Sequence, residues 1–548
     1  MAMVMLHPSW CAVWGRIDRD RFALLGSSSL QPVWSPQGRF LVVGDIWFSD
    51  RASLLPEIAI TKNKSDSEIL AYLWEKEGEN CLTKLEGIFS FIIWEKERDR
   101  LWLVRDASGG RTLYYTQQNS TYYIAPRLAT LQPWHSQTLN LVALRDYLST
   151  AFVPGEQTLW QDVRELSPGT ILLLPESERK SYFDLKENIS SASREDRARE
   201  LRSLLNQIVP EYLPVNESVG VYLSGGLDSS CIAALAAQYC DRQVFTYSIH
   251  FGADCQNELE FSSLVANHCQ TEHRILEITP QQMWEKLPIA MANLDDPIGD
   301  PLTVPNYLLG QLAREDVRVI LNGEGGDPCF GGPKNQPMLL NRLYNSTQTD
   351  LLSAYLNSYQ KCAEHLPQLL KPDIFQAVVN KPSVFTTYLA SDAAYLNRLM
   401  TLNIRFKGAD HILTKVNNLT RSALLEGRSP LFDRRIIEFS LCIPPEYKLA
   451  GAVEKAILKE AVKDLLPPAI VQRPKSGMMV PVQRWFYQHW QRSAKKLLLD
   501  RRAAIAPYLN QKLMREWLNY RGDIWQRYGV KLWLLVSLEY WLREQQKP

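Results

Sequence analysis

The chain has 548 residues, long enough for about two to four independently cored domains. It is 45% apolar and 22% charged with a net charge of +1, which gives no reason to expect nucleic acid or an anionic membrane as the main partner. Nine scattered cysteines without a C-x-x-C pair lack the usual zinc spacing, and their odd number suits the reduced thiols of a cytoplasmic protein.

No basic stretch precedes a long apolar run in "MAMVMLHPSW", so no signal peptide is visible. Up to about residue 185, short alternating strands follow one another: "RFLVVGDIWF", "IFSFIIWE", "RLWLVRD", "TYYIAP" and "GTILLL". With the helix "SDSEILAYLWEKEG" they predict an α+β domain around an antiparallel sheet. The polar segment "PESERKSYFDLKENISSASRE" then marks a boundary, giving a front domain 1–185, a linker 186–195 and a second domain 196–548.

In the second domain "VGVYL", "QVFTYSIHF", "HRILEI" and "VRVILNG" alternate with helical segments, the spacing of βαβ units in a parallel sheet. Beyond about residue 340 strand signals fade and amphipathic helices dominate. The apolar stretch "LWLLVSLEYWL" carries Glu539 and is too short for a bilayer. Leu532, Leu535, Leu538 and Leu542 at helical spacing make it a core helix.

Two loops carry the chemistry. Ser224-Gly225-Gly226-Leu227-Asp228-Ser229-Ser230 ends the first of these strands. It has neither the lysine of a Walker loop nor the G-x-G-x-x-G of a Rossmann turn. Alone it reads as a tight turn with a helix cap, or as a nest of amides and hydroxyls for phosphate with Asp228 as a magnesium ligand. The second loop, Gly323-Glu324-Gly325-Gly326-Asp327, ends another strand of the same sheet. Two such loops converge on one crevice, where Asp228 and Asp327 are placed to share a hydrated magnesium ion.

This pair resembles the ATP-pyrophosphatase module of the asparagine synthetase family, with its S-G-G-x-D-S and G-[DE]-G-x-D signatures. The resemblance continues through "LDDPIGDPLTVPNYLLGQLARE", "LLEGRSPLFDRRIIEFSLCIPPEYKL" and "EKAILKEAVKDLLPPAIVQRPKSGMMVPVQRW". In the front half, "SDSEILAYLWEKEGENCLTKLEGIFSFIIWE" and "LWLVRDASGGRTLYY" resemble the family's glutaminase-like domain. The resemblance implies a sandwich like the N-terminal-nucleophile hydrolases, then an α/β ATP-pyrophosphatase domain with a helical C-terminal part.

It further implies an AMP-forming amide ligase that adenylates a carboxylate with ATP and Mg2+ and then transfers the acyl group to an amine. Ser224, Gly225, Gly226, Asp228, Ser229 and Gly323 match the pyrophosphate-binding positions, and Ser248 and Ile249 those that read the adenine. Asp228 and Asp327 match the magnesium ligands. Lys475 matches the lysine at the reacting phosphate, with Arg473 and Lys455 as weaker candidates for the same pocket, and Glu324 matches a general base for the amine.

The front half departs from the family. Glutamine-dependent members use an N-terminal cysteine, whereas here residue 2 is Ala and the nearest match is Cys11 in Cys11-Ala12-Val13-Trp14-Gly15. Val43 stands where the oxyanion asparagine is expected, and the glutamine-gripping arginine strand is missing, although Asp66 remains. The front domain is therefore expected to lack hydrolytic activity.

The amine then comes from free ammonia, as in an ammonia-dependent asparagine synthetase, or from the substrate itself, as in β-lactam and lasso-peptide macrolactam synthetases. Pro328 and Pro333 in the second loop, and Asn417 where an acidic residue is common, resemble the lasso type and are expected at the acceptor site. That reading implies a small-molecule or peptide carboxylate, and as partners a precursor peptide and a leader protease. A non-catalytic scaffold is the alternative of another class.

Overall fold

The computed structural model describes residues 10–17, 20–26, 32–58, 64–332, 335, 338–340, 350–451, 453–474, 479–522 and 526–546. Its front strands are β1 (Trp10–Ile17), β2 (Asp20–Gly26), β3 (Val33–Trp34), β4 (Phe40–Phe48), β5 (Gly87–Glu95) and β6 (Arg100–Arg105). They continue with β7 (Tyr114–Gln118), β8 (Thr121–Ala125), β9 (Val163–Glu165), β10 (Thr170–Leu174) and β11 (Glu178–Ser181).

Period-two alternation explains how these strands assemble. On β4, β6 and β10, the residues Leu41, Val43, Leu101, Leu103, Leu172 and Leu174 point one way, into a core shared with Trp10, Ala12 and Trp14 of β1. Their neighbours Phe40, Val42, Trp102, Val104, Ile171 and Leu173 point the other way. That second face is covered by helix α1 (Asp66–Glu77), started by a Ser65–Glu68 capping box and burying Ile69, Leu70, Leu73 and Trp74 at helical spacing.

Two antiparallel sheets result, ordered β2-β1-β8-β7-β9 and β11-β10-β6-β5-β4-β3. Helix α2 (Leu141–Thr150) covers the outer face of the first, where Cys11 and Val13 meet Leu144, Tyr147 and Leu148. The layers run helix, sheet, sheet, helix.

Irregular chain follows β11, and a helix begins at Arg194. The second sheet system holds β12 (Val219–Tyr222), β13 (Val244–His250), β14 (Glu272–Glu277), β15 (Val319–Leu321) and β16 (Glu426–Arg428). All its pairings are parallel, in the order β14-β13-β12-β15-β16. The topology reverses direction between β12 and β15, so a crevice opens at the carboxyl ends of those two strands. β16 lies in a region the sequence reads as helical. It is the three residues Glu-Gly-Arg, too short and too polar for any strand periodicity, and pairing with β15 alone makes it a strand.

The C-terminal helix Tyr528–Gln545 is buried along most of its length, its apolar run Leu532–Leu538 lying wholly inside. Buried Glu539 is satisfied there by the amides of Ala504 and Ile505, at 3.1 and 3.0 Å, and by Arg543. This helix joins the two halves: Tyr147 of α2 donates to Leu534 O at 2.9 Å, and both helices contribute to one contiguous core. Among the described residues no helix is long and apolar enough to cross a membrane. All nine cysteines are free thiols.

Candidate active site

The first loop leaves β12 at Leu223, whose carbonyl accepts the Ser248 hydroxyl of β13 at 2.5 Å. Gly225 then takes φ +75°, and an added Cβ would lie 2.6 Å from Ser262 N, so only glycine makes this turn. Gly226 caps helix α3 (Leu227–Tyr239) without a side-chain hydrogen bond, leaving the first amides of a buried helix directed at the crevice. The Ser229 hydroxyl accepts from Ser224 N at 3.2 Å and lies 3.1 Å from the Ser224 hydroxyl, so the two serines brace the turn.

The second loop leaves β15 and packs directly on the first. Gly323 abuts the Ser229 backbone, and a Cβ on Gly326 would lie 2.2 Å from Asp228 Cγ. Any side chain at Gly326 would displace the Asp228 carboxylate. Asn322 braces this loop by accepting from Glu324 N at 3.0 Å and from the Ser429 hydroxyl at 2.9 Å. The end of β16 thus supports the loop after β15.

Between the loops lies Lys455, with 2% of its side chain exposed; its ammonium contacts both Asp228 and Asp327. Its backbone sits in the left-handed region at φ +53°, just before helix Ala456–Ala461. The sequence makes Lys455 a minor candidate, and the structure puts it at the centre. One nitrogen touching both carboxylates means that their oxygens converge on one small volume. Two carboxylates and phosphate oxygens are the donor set magnesium takes in nucleotide sites, so these residues fit that ion. Among the described residues no cluster of three or more His, Cys, Asp or Glu side chains offers an alternative metal site.

A cavity of about 340 Å³ opens over the loops. Ser224, Gly226, Asp228, Ser229, Ser248, Ile249, Gly323, Glu324 and Asp327 all line it. Gly225 forms the turn behind, where Arg473 donates to its carbonyl at 3.2 Å and lies 3.7 Å over the Phe261 ring. Lys475 and Pro333 fall outside the described residues.

One placement differs from the sequence reading. Pro328 does line the cavity. Asn417 does not: its amide donates to Gly110 O of the front domain at 2.5 Å. Which side of a helix meets which neighbour is set by tertiary packing, and residue type alone does not disclose it.

The far side of the cavity holds a group that the sequence reading missed: Asn403, Lys407, His411 and Lys415, facing Asp300. Asp300 Oδ2 lies 2.5 Å from Lys415 Nζ and 3.3 Å from His411 Nε2. Burial opposes ionisation of Asp300, yet Lys415 and His411 hold its carboxyl well below the usual range. Burial lowers His411 to about 4, against the pull of Asp300. The regular spacing by four was the only sequence signal, and every helix offers such spacings.

In the front domain the polar residues are differently employed. Cys11 sits inside β1 opposite Leu25, 1% exposed, and burial pushes its thiol up to about 12. Val43 is core. Asp45 is half-buried, and the loss of solvent opposes its ionisation, but Arg111 at 3.0 Å and Arg421 at 2.5 Å hold it below the usual range. Asp66 accepts Phe48 N at 3.0 Å and pairs with Arg51 at 3.3 Å.

Comparison with known proteins covers both halves of the chain. Residues 200–543 match the Asparagine synthase family, and residues 8–183 match the Glutamine amidotransferase domain. The chain belongs to the asparagine synthase family. It is thereby an ATP-dependent carbon–nitrogen ligase of the AMP-forming class, built as an amidotransferase-like domain followed by an ATP-pyrophosphatase-like domain.

It is 27% identical to asparagine synthetase [glutamine-hydrolyzing] 1 of Bacillus subtilis over 77% of this chain and 72% of that protein. With asparagine synthetase B [glutamine-hydrolyzing] of Escherichia coli it shares 23% identity over 87% of this chain and 77% of that one.

Proposed function

We propose that this family member joins an activated carboxylate to an amine carried by the substrate itself, as in lasso-peptide-type macrolactam synthesis. The observation that carries this reading is the state of the front domain. A cysteine buried within a strand, with its thiol at about 12, is a poor nucleophile, and a core valine replaces the oxyanion donor. Glutamine is then no source of ammonia, and the amine arrives with the acceptor.

In the first step a substrate carboxylate oxygen attacks the α-phosphorus of ATP. The bond to the bridging oxygen breaks, and pyrophosphate leaves. The first-loop amides and the Ser224 and Ser229 hydroxyls hold that leaving group, and Lys455 balances charge between Asp228 and Asp327. Magnesium held by these two aspartates would supply further charge neutralisation. The backbone groups of Ser248 and Ile249 take the adenine. In the second step the amine nitrogen attacks the acyl carbon, AMP departs, and Glu324 takes the amine's proton. Lys475 is proposed to meet the reacting phosphate.

The partners called for are a precursor peptide and a protease that removes its leader, all in the cytoplasm. Asparagine formation from aspartate and ammonia is the second reading, favoured by the names of the relatives. A non-catalytic scaffold is disfavoured, because both aspartates, both serines and Lys455 are present and converge.

The test is ATP–pyrophosphate exchange with a panel of acids, followed by product analysis with ammonium, with glutamine and with peptide amines. An intramolecular amide with AMP and pyrophosphate is expected. Asparagine made from aspartate and ammonium would move the assignment to the second reading, and ADP as product would refute the phosphate chemistry.

A further inference from the structure

The cavity's far wall belongs to one continuous rod: helix Tyr395–Leu402, a π-helix over Asn403–Leu413, and helix Thr414–Ser422. A π segment of eleven residues is long for a geometry that usually occurs as a single wide turn. Its consequence is visible in the cavity. In an α-helix, side chains four apart drift by about 40° at each step, so Asn403, Lys407, His411 and Lys415 would spiral away from one another. The wider turn offsets that drift, and all four line the same space.

The opposite side of the rod is held by the front domain at several points. Asp410, 7% exposed, accepts Gly155 N at 2.7 Å. Asn417 reaches Gly110 O at 2.5 Å, and Arg421 pairs with Asp45 at 2.5 Å. Phe152 stacks flat on the His411 ring, with centroids 5.3 Å apart and planes 8° apart. The front domain therefore touches a cavity-lining side chain directly and grips the backbone turn that presents the others.

We propose that the front domain acts as a positioning platform for the acyl-transfer cavity, with Asp410 as the positioning residue that holds the π turn through the Gly155 amide. This rests on the reading of the cavity as the ligase site, and it holds whether or not the front domain hydrolyses anything. Buried among Glu165 and Arg105, Asp410 has its carboxyl raised well above the usual range by burial and then by Glu165. The bond to Gly155 needs only an accepting oxygen, so asparagine is the conservative replacement.

The experiment compares Asp410→Ala and Asp410→Asn in the full chain by hydrogen exchange and by calorimetric titration with ATP and magnesium chloride. In Asp410→Ala, amide exchange over 403–413 should rise by about tenfold or more, confined to the rod. ATP affinity should stay within about twofold, since the first loop lies across the cavity. Asp410→Asn should restore slow exchange. Should Asp410→Ala not fold, Asn417→Ala serves instead, with faster exchange expected at the lower end of the π segment.

Parent-like exchange in the alanine variant, or an asparagine variant as fast as alanine, overturns the proposal. So does faster exchange throughout the ligase half with loss of ATP binding, because the effect is then general destabilisation. Neither readout needs turnover. A parent protein that adenylates no acid would strike the functional reading alone.

Discussion

The two halves of this chain keep the layered cores of their respective domains, but they use their polar residues in opposite ways. In the ligase half, Asp228, Asp327, Ser224, Ser229 and Glu324 project into a shared space, and glycines at the loop crossings keep that space clear. In the front half, Asp45 is consumed by two arginines, Asp66 anchors the end of β4, and Cys11 is packed under α2. A core demands only alternation and volume, whereas a site demands polar groups left facing a cavity. The first does not by itself supply the second.

The comparison breaks most readily at the ligase loops. Asp228→Ala removes one of the two converging carboxylates and should lower AMP formation by at least about a hundredfold. Pyrophosphate exchange measures it, and near-parent exchange would mean that the polar cluster is no more functional than that of the front half.

Lys455→Met leaves two carboxylates facing each other around a buried gap. Removing one partner of a fully buried group typically costs about 3–5 kcal/mol; with Asp327 33% exposed, a loss below that range is expected by urea unfolding. Magnesium chloride should recover part of that loss in Lys455→Met and little in the parent. Equal recovery in both would count against a cation site at these aspartates.

A smaller effect is expected at the His411 end of the cavity. His411 faces Asp300, Lys415 and Lys407, and its folded value of about 4 lies below the ordinary value of about 6.5. Between those limits the unfolded chain binds a proton that the folded chain refuses. Stability is thus complete above about pH 6.5 and falls towards pH 4 by up to about 1.4 kcal/mol per unit. Asp300, held low, adds its own loss only beneath this window. His411→Asn should flatten the slope between pH 6.5 and 4.5, and an unchanged slope would show that His411 titrates normally.

No effect at all is expected at Cys11. Cys11→Ala should leave amide synthesis unchanged when the amine is supplied, and neither protein should release glutamate from glutamine. Glutamate release abolished by Cys11→Ala would erase the contrast between the halves. Iodoacetamide sharpens the same point: a thiol near 12 should resist alkylation at pH 8 until the chain is unfolded.

Much of this was legible in residue order. Alternation in "RFLVVGDIWF" and "GTILLL" separates the two faces of each front strand, because side chains in a strand point to opposite sides in turn. The two glycine–aspartate loops announce their crevice, since glycine at a strand end before a helix has few other uses.

Other features came only from the tertiary structure. Nothing local marks Glu426–Arg428 as a strand, Lys455 as the residue between two aspartates, Asn417 as a tie to Gly110, or the four-residue spacing after Asn403 as a cavity wall. Periodicity records which side of an element is apolar. The partner across a charged contact lies hundreds of residues away, as Lys455 does from Asp228, and only the folded chain brings the two together.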